Sequence, residues 1–152
     1  MKRHFKDLVN YNNWANERVL QTLEEHADKE ETLLNLYGHI ISSQIVWLLR
    51  IRGLPTSPFP LWQSYNIVEL RSMTEESSRN WVNYLEAHKF DTFEEMIHYT
   101  NSQAVKHEST IREIINQMLG HGNYHRGQIA LQMRKNQLKP VQTDYILYKR
   151  LS

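Results

Sequence analysis

A chain of 152 residues is long enough for one domain with a substantial hydrophobic core, because a domain of this size buries roughly 70% of its unfolded surface. It contains no cysteine, which excludes disulfides, thiolate metal ligands and a cysteine nucleophile together. The 18 basic and 17 acidic residues leave a formal charge of +1, which argues against a nucleic-acid-binding surface. No signal peptide is visible, and no apolar run approaches the ~20 residues that span a bilayer, so we expect one cytoplasmic domain over residues 1–152 without membrane contact.

Apolar residues at three- and four-residue spacing predict two long helices in the first third of the chain. Helix one is predicted over residues 2–25. An N-cap at Asp28, followed by a stop at Gly53 and Pro55, predicts helix two over about residues 29–52.

Three prolines, Pro55, Pro58 and Pro60, then exclude a helix and favour extended chain. About thirteen extended residues at up to ~3.3 Å each reach ~40 Å, which exceeds the ~36 Å length of a 24-residue helix. The chain can therefore cross the whole bundle and begin a third helix parallel to helix two.

An N-cap at Asn66 predicts helix three from there to about residue 89. Residues 90–108 contain apolar side chains around Asn101 and Ser102, a pattern typical of a small β-hairpin. The apolar residues concerned are Met96, Ile97, Tyr99 and Val105.

Thr110 and Glu113 form a capping-box pattern, which predicts helix four from there to about residue 136. A short last helix is predicted over residues 143–150. Its residues expected to pack on the bundle are Tyr145, Ile146 and Tyr148. Without internal repeats or linkers, the pattern predicts an all-α four-helix bundle with a long crossover between helices two and three.

Two histidines in helix four, His121 and His125, are one helical turn apart and lie on its apolar stripe. Two core histidines held by ordinary hydrogen bonds would give the same pattern. His39 favours a metal site, because it is a third histidine beside the core face of helix two, near its middle. Three histidines with open water positions are typical of catalytic zinc, nickel or iron. Gly122 replaces the glutamate of the H-E-x-x-H pattern, which argues against a zincin-type peptidase.

Glycines cluster around these histidines, although each costs up to ~1 kcal/mol in a helix relative to alanine. Gly120, Gly122 and Gly127 lie in helix four, and Gly38 precedes His39. We interpret them as positions where another backbone or a ligand comes close.

Three further residues are candidates for a substrate pocket. Ser43 and Gln128 follow His39 and His125 by about one turn and suit a role in orienting a ligand or a metal-bound water. Trp47 follows His39 by two turns and suits a pocket wall. Ser43 and Gln128 fit equally well as ordinary polar side chains at the edge of the core. The tryptophans are expected chiefly in the core, namely Trp14, Trp47, Trp62 and Trp81. No catalytic residue is assigned.

Four segments resemble the DinB/YfiT-like family of metalloenzymes. They are YNNWAN at residues 11–16, GHI at 38–40 leading to WLLRIRG at 47–53, HGNYHRGQ at 121–128, and the closing stretch 140–148. The resemblance spans nearly the whole chain, and the His-x-x-x-His-Arg-Gly-Gln block is its most specific part.

This resemblance implies an up-down-down-up four-helix bundle, often dimeric, that binds zinc or nickel through His39, His121 and His125. Family members of known activity include thiol-dependent S-transferases and isomerases. The first hypothesis is therefore an S-transferase or hydrolase for small molecules, using a low-molecular-weight thiol from solution. The alternative is a non-catalytic metal-binding protein of the stress or DNA-damage response. An open coordination position favours the enzyme, and a fourth protein ligand favours the alternative.

Overall fold

The fold is given by a computed structural model that describes residues 1–26, 31–56, 60–89 and 93–151. It is mostly helical, as the sequence predicts. The elements are α1 (Lys2–His26), α2 (Glu31–Ile51), α3 (Ile67–Ala87), β1 (Met96–Thr100), β2 (Lys106–Thr110), α4 (Ile111–Lys135) and α5 (Tyr145–Leu151).

Hydrogen-bonded caps explain where the helices begin. The Asn66 side chain accepts from the backbone N–H of Glu69, and the Glu69 carboxylate accepts from the backbone N–H of Asn66. Thr110 and Glu113 form the same reciprocal pair at the start of α4. The predicted N-cap of helix two, Asp28, lies outside the described residues.

The later boundaries differ from the sequence prediction by one or two residues. After Ala87 the backbone of residue 88 is extended, so α3 ends two residues early. The predicted hairpin is present, and the Asn101 side chain shapes its turn by accepting from the backbone N–H groups of Gln103 and Val105. In α5, Tyr145 and Tyr148 pack on Tyr11 as expected. Ile146 was also expected to pack on the bundle but is 58% exposed. It lies on the outer face of α5, away from the face that contacts α1.

Contacts at both ends of α1 show that it runs antiparallel to α3. Lys2, at the start of α1, donates to the backbone carbonyl of Glu86 at the end of α3. Arg71, near the start of α3, pairs with Glu24 near the end of α1 at 2.7 Å.

The remaining directions follow from buried hydrogen bonds. Tyr37 in α2 bonds Thr74 in α3, and further along both helices the Trp81 indole donates to the Gln44 carbonyl, so α2 and α3 are parallel. In α4, Arg126 donates to Asn16 of α1. The earlier residue Met118 contacts Asn12, so α1 and α4 are parallel. The topology is therefore up-down-down-up, and the parallel pair α2 and α3 requires the long crossover.

The core consists of two apolar clusters separated by a polar layer. One cluster contains Phe5, Trp81, Ile114 and their neighbours, and the other contains Leu20, Leu33, Ile129 and theirs. Between them lie buried polar side chains from all four long helices, which we call the polar layer: Asn12, Asn16, His39, Ser42, Ser43, Gln44, Thr74, Ser77, His125 and Arg126.

Helix α2 is long and apolar enough, by length and composition, to cross a membrane. Within its most apolar window, 61% of the residues are buried among the other elements. That burial is typical of the central helix of a bundle core.

At two of the three α4 glycines, no other described part of the chain comes close, so the expected close approach of another backbone is absent there. A methyl group at Gly120 or Gly127 would meet no atom within 4 Å. At Gly122 it would lie 3.0 Å from both the Arg126 guanidinium and the Asn12 amide oxygen. Gly122 thus makes room for a hydrogen-bonded pair between α4 and α1, with no backbone of another element and no histidine among those contacts.

We expect Gly122→Ala to lower the free energy of unfolding by about 1 kcal/mol, since overpacking outweighs the gain in helix propensity. The matched control Gly120→Ala, whose new methyl group meets open space, should raise it by about 0.4–1 kcal/mol. Urea unfolding of both variants measures the difference. An equal increase for the two variants would contradict this account of Gly122.

Candidate metal centre

The three histidines singled out in the sequence meet in the middle of the bundle. His39 Nε2 lies 3.1 Å from His121 Nε2, and His125 Nε2 lies 3.1 Å from the same atom. The potential ligand atoms all lie within 4.8 Å of one another. His39 and His125 are buried, while His121 is half-buried. Antiparallel packing of α2 on α4 thus brings residues 82 positions apart into one cluster.

Hydrogen bonds fix the orientation of two of these rings. His39 Nδ1 lies 2.8 Å from the Leu61 carbonyl oxygen, and His125 Nδ1 lies 2.6 Å from Gln128 Oε1. Both partners are acceptors, so each Nδ1 carries the proton and each Nε2 presents a lone pair. This is the arrangement in which metal-ligating histidines are held.

The contacts among the three Nε2 atoms fit a cation better than a proton. With His39 and His125 protonated at Nδ1, only His121 can place a proton between the rings. One N–H cannot make two linear hydrogen bonds. At one of the two 3.1 Å contacts, two nitrogen lone pairs would therefore face each other, which is repulsive. The donor set, three imidazole nitrogens without a thiolate, suits a divalent transition metal.

Burial favours the neutral forms of His121 and His39 near neutral pH, because it lowers the pKa of both imidazoles. It is the main cause that lowers the pKa of His121 to about 4, and the rings of His125 and His39 act in the same direction. Burial also lowers the pKa of His39, against the opposing effect of its bond to the Leu61 carbonyl. Neutral imidazole is the ligating form, so protons compete weakly at pH 7.

The crossover supplies two contacts that the sequence did not reveal. Leu61 provides the carbonyl that orients His39, and the Trp62 ring stacks on the His39 ring with centroids 3.8 Å apart and an interplanar angle of 6°. The expectation that Trp62 belongs to the core is wrong, since its side chain is 61% exposed. In the sequence, Trp62 lies outside the apolar repeats that predict the helices. This was the one sequence signal that its side chain lies outside the helical core.

The other predicted pocket residues lie at different places around the site. Gln128 contacts His125 directly. Ser43 is buried one turn beyond His39 in α2. Trp47 faces the hairpin, where its ring meets Tyr99 edge-on at 5.3 Å. Their assignment to a substrate pocket remains a prediction.

A bundle with three inward-facing histidines, one of them hydrogen-bonded to a glutamine side chain, defines a class of helical proteins with a candidate nitrogen-ligand metal centre. Comparison with known families agrees, since the DinB family model matches residues 1–152. The chain belongs to the DinB family. It is similar to Protein DinB of Bacillus subtilis (strain 168), with 22% identity over 158 residues that cover 93% of this chain and 91% of that protein.

In metal-free protein, the lowered histidine pKa values predict acid-sensitive stability. The unfolded chain binds protons at these histidines near pH 6.5, whereas folded His121 stays neutral until about pH 4. Their contribution to stability is thus present above pH 6.5 and lost as the pH falls through the folded pKa values. Unfolding free energies between pH 7 and about 4, measured with chelator, should fall less steeply for His121→Gln. The control His4→Gln, at an exposed position, should keep the wild-type slope. Equal slopes for wild type, His121→Gln and His4→Gln would show that His121 does not cause the acid sensitivity.

Proposed function

We propose that the protein is a cytoplasmic metal-dependent enzyme that joins a low-molecular-weight thiol to a small electrophile. His39, His121 and His125 hold the metal, which we take to be zinc or nickel. The observation that carries the proposal is the convergence of three Nε2 atoms, two of them with the Nδ1 proton already committed to an acceptor.

The number of protein ligands favours an enzyme over a closed structural site. Among the residues that the structure describes, no fourth histidine, aspartate or glutamate joins this group. Structural zinc sites usually have four protein ligands, and catalytic sites usually have three plus an open position.

Charge favours an anion at that open position. Three neutral imidazoles leave both charges of a divalent cation uncompensated. A bound metal of this kind supplies Lewis acidity, which lowers the pKa of a coordinated thiol or water. Because the chain has no cysteine, any thiol must come from solution.

The surrounding residues have separate roles in this scheme. Leu61 and Gln128 hold two imidazole rings in the ligating tautomer. Trp62 covers one face of His39 and limits access of water from that side. Tyr124, 65% exposed with its ring centroid 5.1 Å from that of His125, lies at the solvent side. We assign these two aromatic rings to the rim that an incoming small molecule passes.

Protein purified without added metal should contain about one divalent transition metal per chain. His39→Ala should lose most of it, because two helix-four histidines alone hold a metal weakly. The exposed variant His4→Ala should retain it. Elemental analysis after gel filtration gives the content. Full occupancy in His39→Ala would contradict the three-histidine centre.

Activity is tested with purified, metal-loaded protein, cysteine or glutathione as the thiol, and an alkyl halide, an epoxide and an activated ester as electrophiles. Formation of a thioether from the halide or epoxide, or of a thioester from the activated ester, supports the transferase if it disappears on chelation. Product formation without thiol indicates a hydrolase instead. Firm metal binding with no turnover of any pair would contradict the enzyme and favour a non-catalytic metal-binding role.

Gln128→Ala should weaken metal binding by about 10- to 100-fold, the usual effect of removing an outer hydrogen-bond partner of a ligating histidine. Gln128→Glu keeps an acceptor opposite His125 Nδ1 and should recover much of the affinity. Gln117→Ala, on an exposed part of the same helix, is the matched control. Competition with a chromogenic chelator measures all three. Unchanged affinity in Gln128→Ala would show that this bond does not support the centre.

A further inference from the structure

Arg126 is a buried cation without an anionic partner. Its side chain belongs to the polar layer, and the residue is 4% exposed. In the described part of the chain, none of the ion pairs involves it. Removing an unpaired charge from water is costly, so a buried guanidinium without a carboxylate calls for another source of compensation.

Neutral groups satisfy part of its hydrogen-bonding capacity. Nη1 donates to the amide oxygens of Asn12 and Asn16 at 2.9 and 2.6 Å, and Nη2 donates to Asn123. The Tyr11 hydroxyl is a further neighbour. Nε has no acceptor among the described residues. These amides explain how Arg126 links α4 to α1, but they supply no negative charge.

Arg126 lines a cavity of about 360 Å³ between α1, α4 and the segment at residues 140–145. This volume lies within the range of small-molecule sites, ~300–1,000 Å³. Polar groups gather near Arg126, and apolar side chains form much of the remaining wall. The apolar wall residues include Val19, Ile129, Met133 and Val141.

A basic groove adjoins this cavity and shares Pro140 and Val141 with it. Its charged residues are Arg18, Arg134 and Lys139. None of them forms an ion pair within the ranges that the structure covers. Such a groove raises the local concentration of anions at the cavity mouth. Asp144, also at the cavity, opposes a second negative charge on a ligand.

We propose that this cavity is a binding site for a small monocarboxylate with an apolar body, its carboxylate directed toward Arg126. The apolar wall takes the body, and the neighbouring basic groove attracts the ligand. The site faces α1 and the chain's last segment, whereas the histidine cluster faces α2. It is therefore a second site, and the inference does not depend on the proposed metal chemistry.

The test uses chelator-treated and zinc-loaded protein titrated with acetate, hexanoate and phenylacetate, followed by ¹H–¹⁵N NMR and calorimetry. We expect saturable binding of hexanoate and phenylacetate, with shifts at Tyr11, Asn123 and Val141. The uncharged analogue phenylacetamide should bind at least ~10-fold more weakly, since the charged contact is lost. Affinity should be the same with and without zinc.

Two variants make the result specific. Arg126→Met removes the cation, although it also removes the link to α1 and can destabilise the fold. Ala130→Leu fills the cavity and leaves Arg126 in place, so it should abolish binding in folded protein. Ala87→Leu, at the exposed end of α3, should bind like wild type.

Four outcomes would overturn the proposal. They are no saturable binding of any of the three carboxylates, binding that requires zinc, unchanged affinity in Ala130→Leu, and tighter binding of inorganic phosphate than of phenylacetate.

Discussion

Arg126 donates to Asn12 and Asn16 inside the polar layer, and the two apolar clusters lie on either side of these bonds. An unpaired buried polar group costs about 1–3 kcal/mol, so such bonds define a preferred alignment of the helices along their axes. Tyr37 extends the alignment, since its hydroxyl lies near both the Asn16 carbonyl and Thr74. All four long helices are thereby matched at one level, and His39 lies opposite the helix-four histidines at that level.

The parallel arrangement of α2 and α3 has a chemical consequence as well as a topological one. A connection between parallel helices must return along the length of the bundle, and here it passes the middle of α2. Gly38 permits the close approach, because a methyl group there would lie 3.0 Å from the Tyr65 ring. The crossover can therefore place the Leu61 carbonyl against His39. One segment both connects the helices and orients a ligand.

Helix positions and the histidine cluster were predictable because each depends on local patterns: apolar spacing, caps at Asn66 and Thr110, and histidines near mid-helix. The contacts of Leu61 and Trp62 were not, since they depend on the path of an extended segment with no periodicity. The number of glycines near the histidines did not predict which glycine is tightly packed. Three glycines share α4, yet only Gly122 meets neighbouring atoms, because side-chain packing rather than sequence proximity to histidine decides what a methyl group would touch.

No loop separates β2 from α4, since Thr110 is both the last residue of the strand and the N-cap of the helix. The hairpin is therefore rigidly joined to the helix, and the strand pairing of Thr110 with Met96 sets the rotational phase of α4 about its own axis. Each residue of an α-helix turns by about 100°. Gaining or losing one residue at this joint would point His121 and His125 away from α2 without altering either histidine. The direct junction of β2 and α4 is thus itself required for the three histidines to meet.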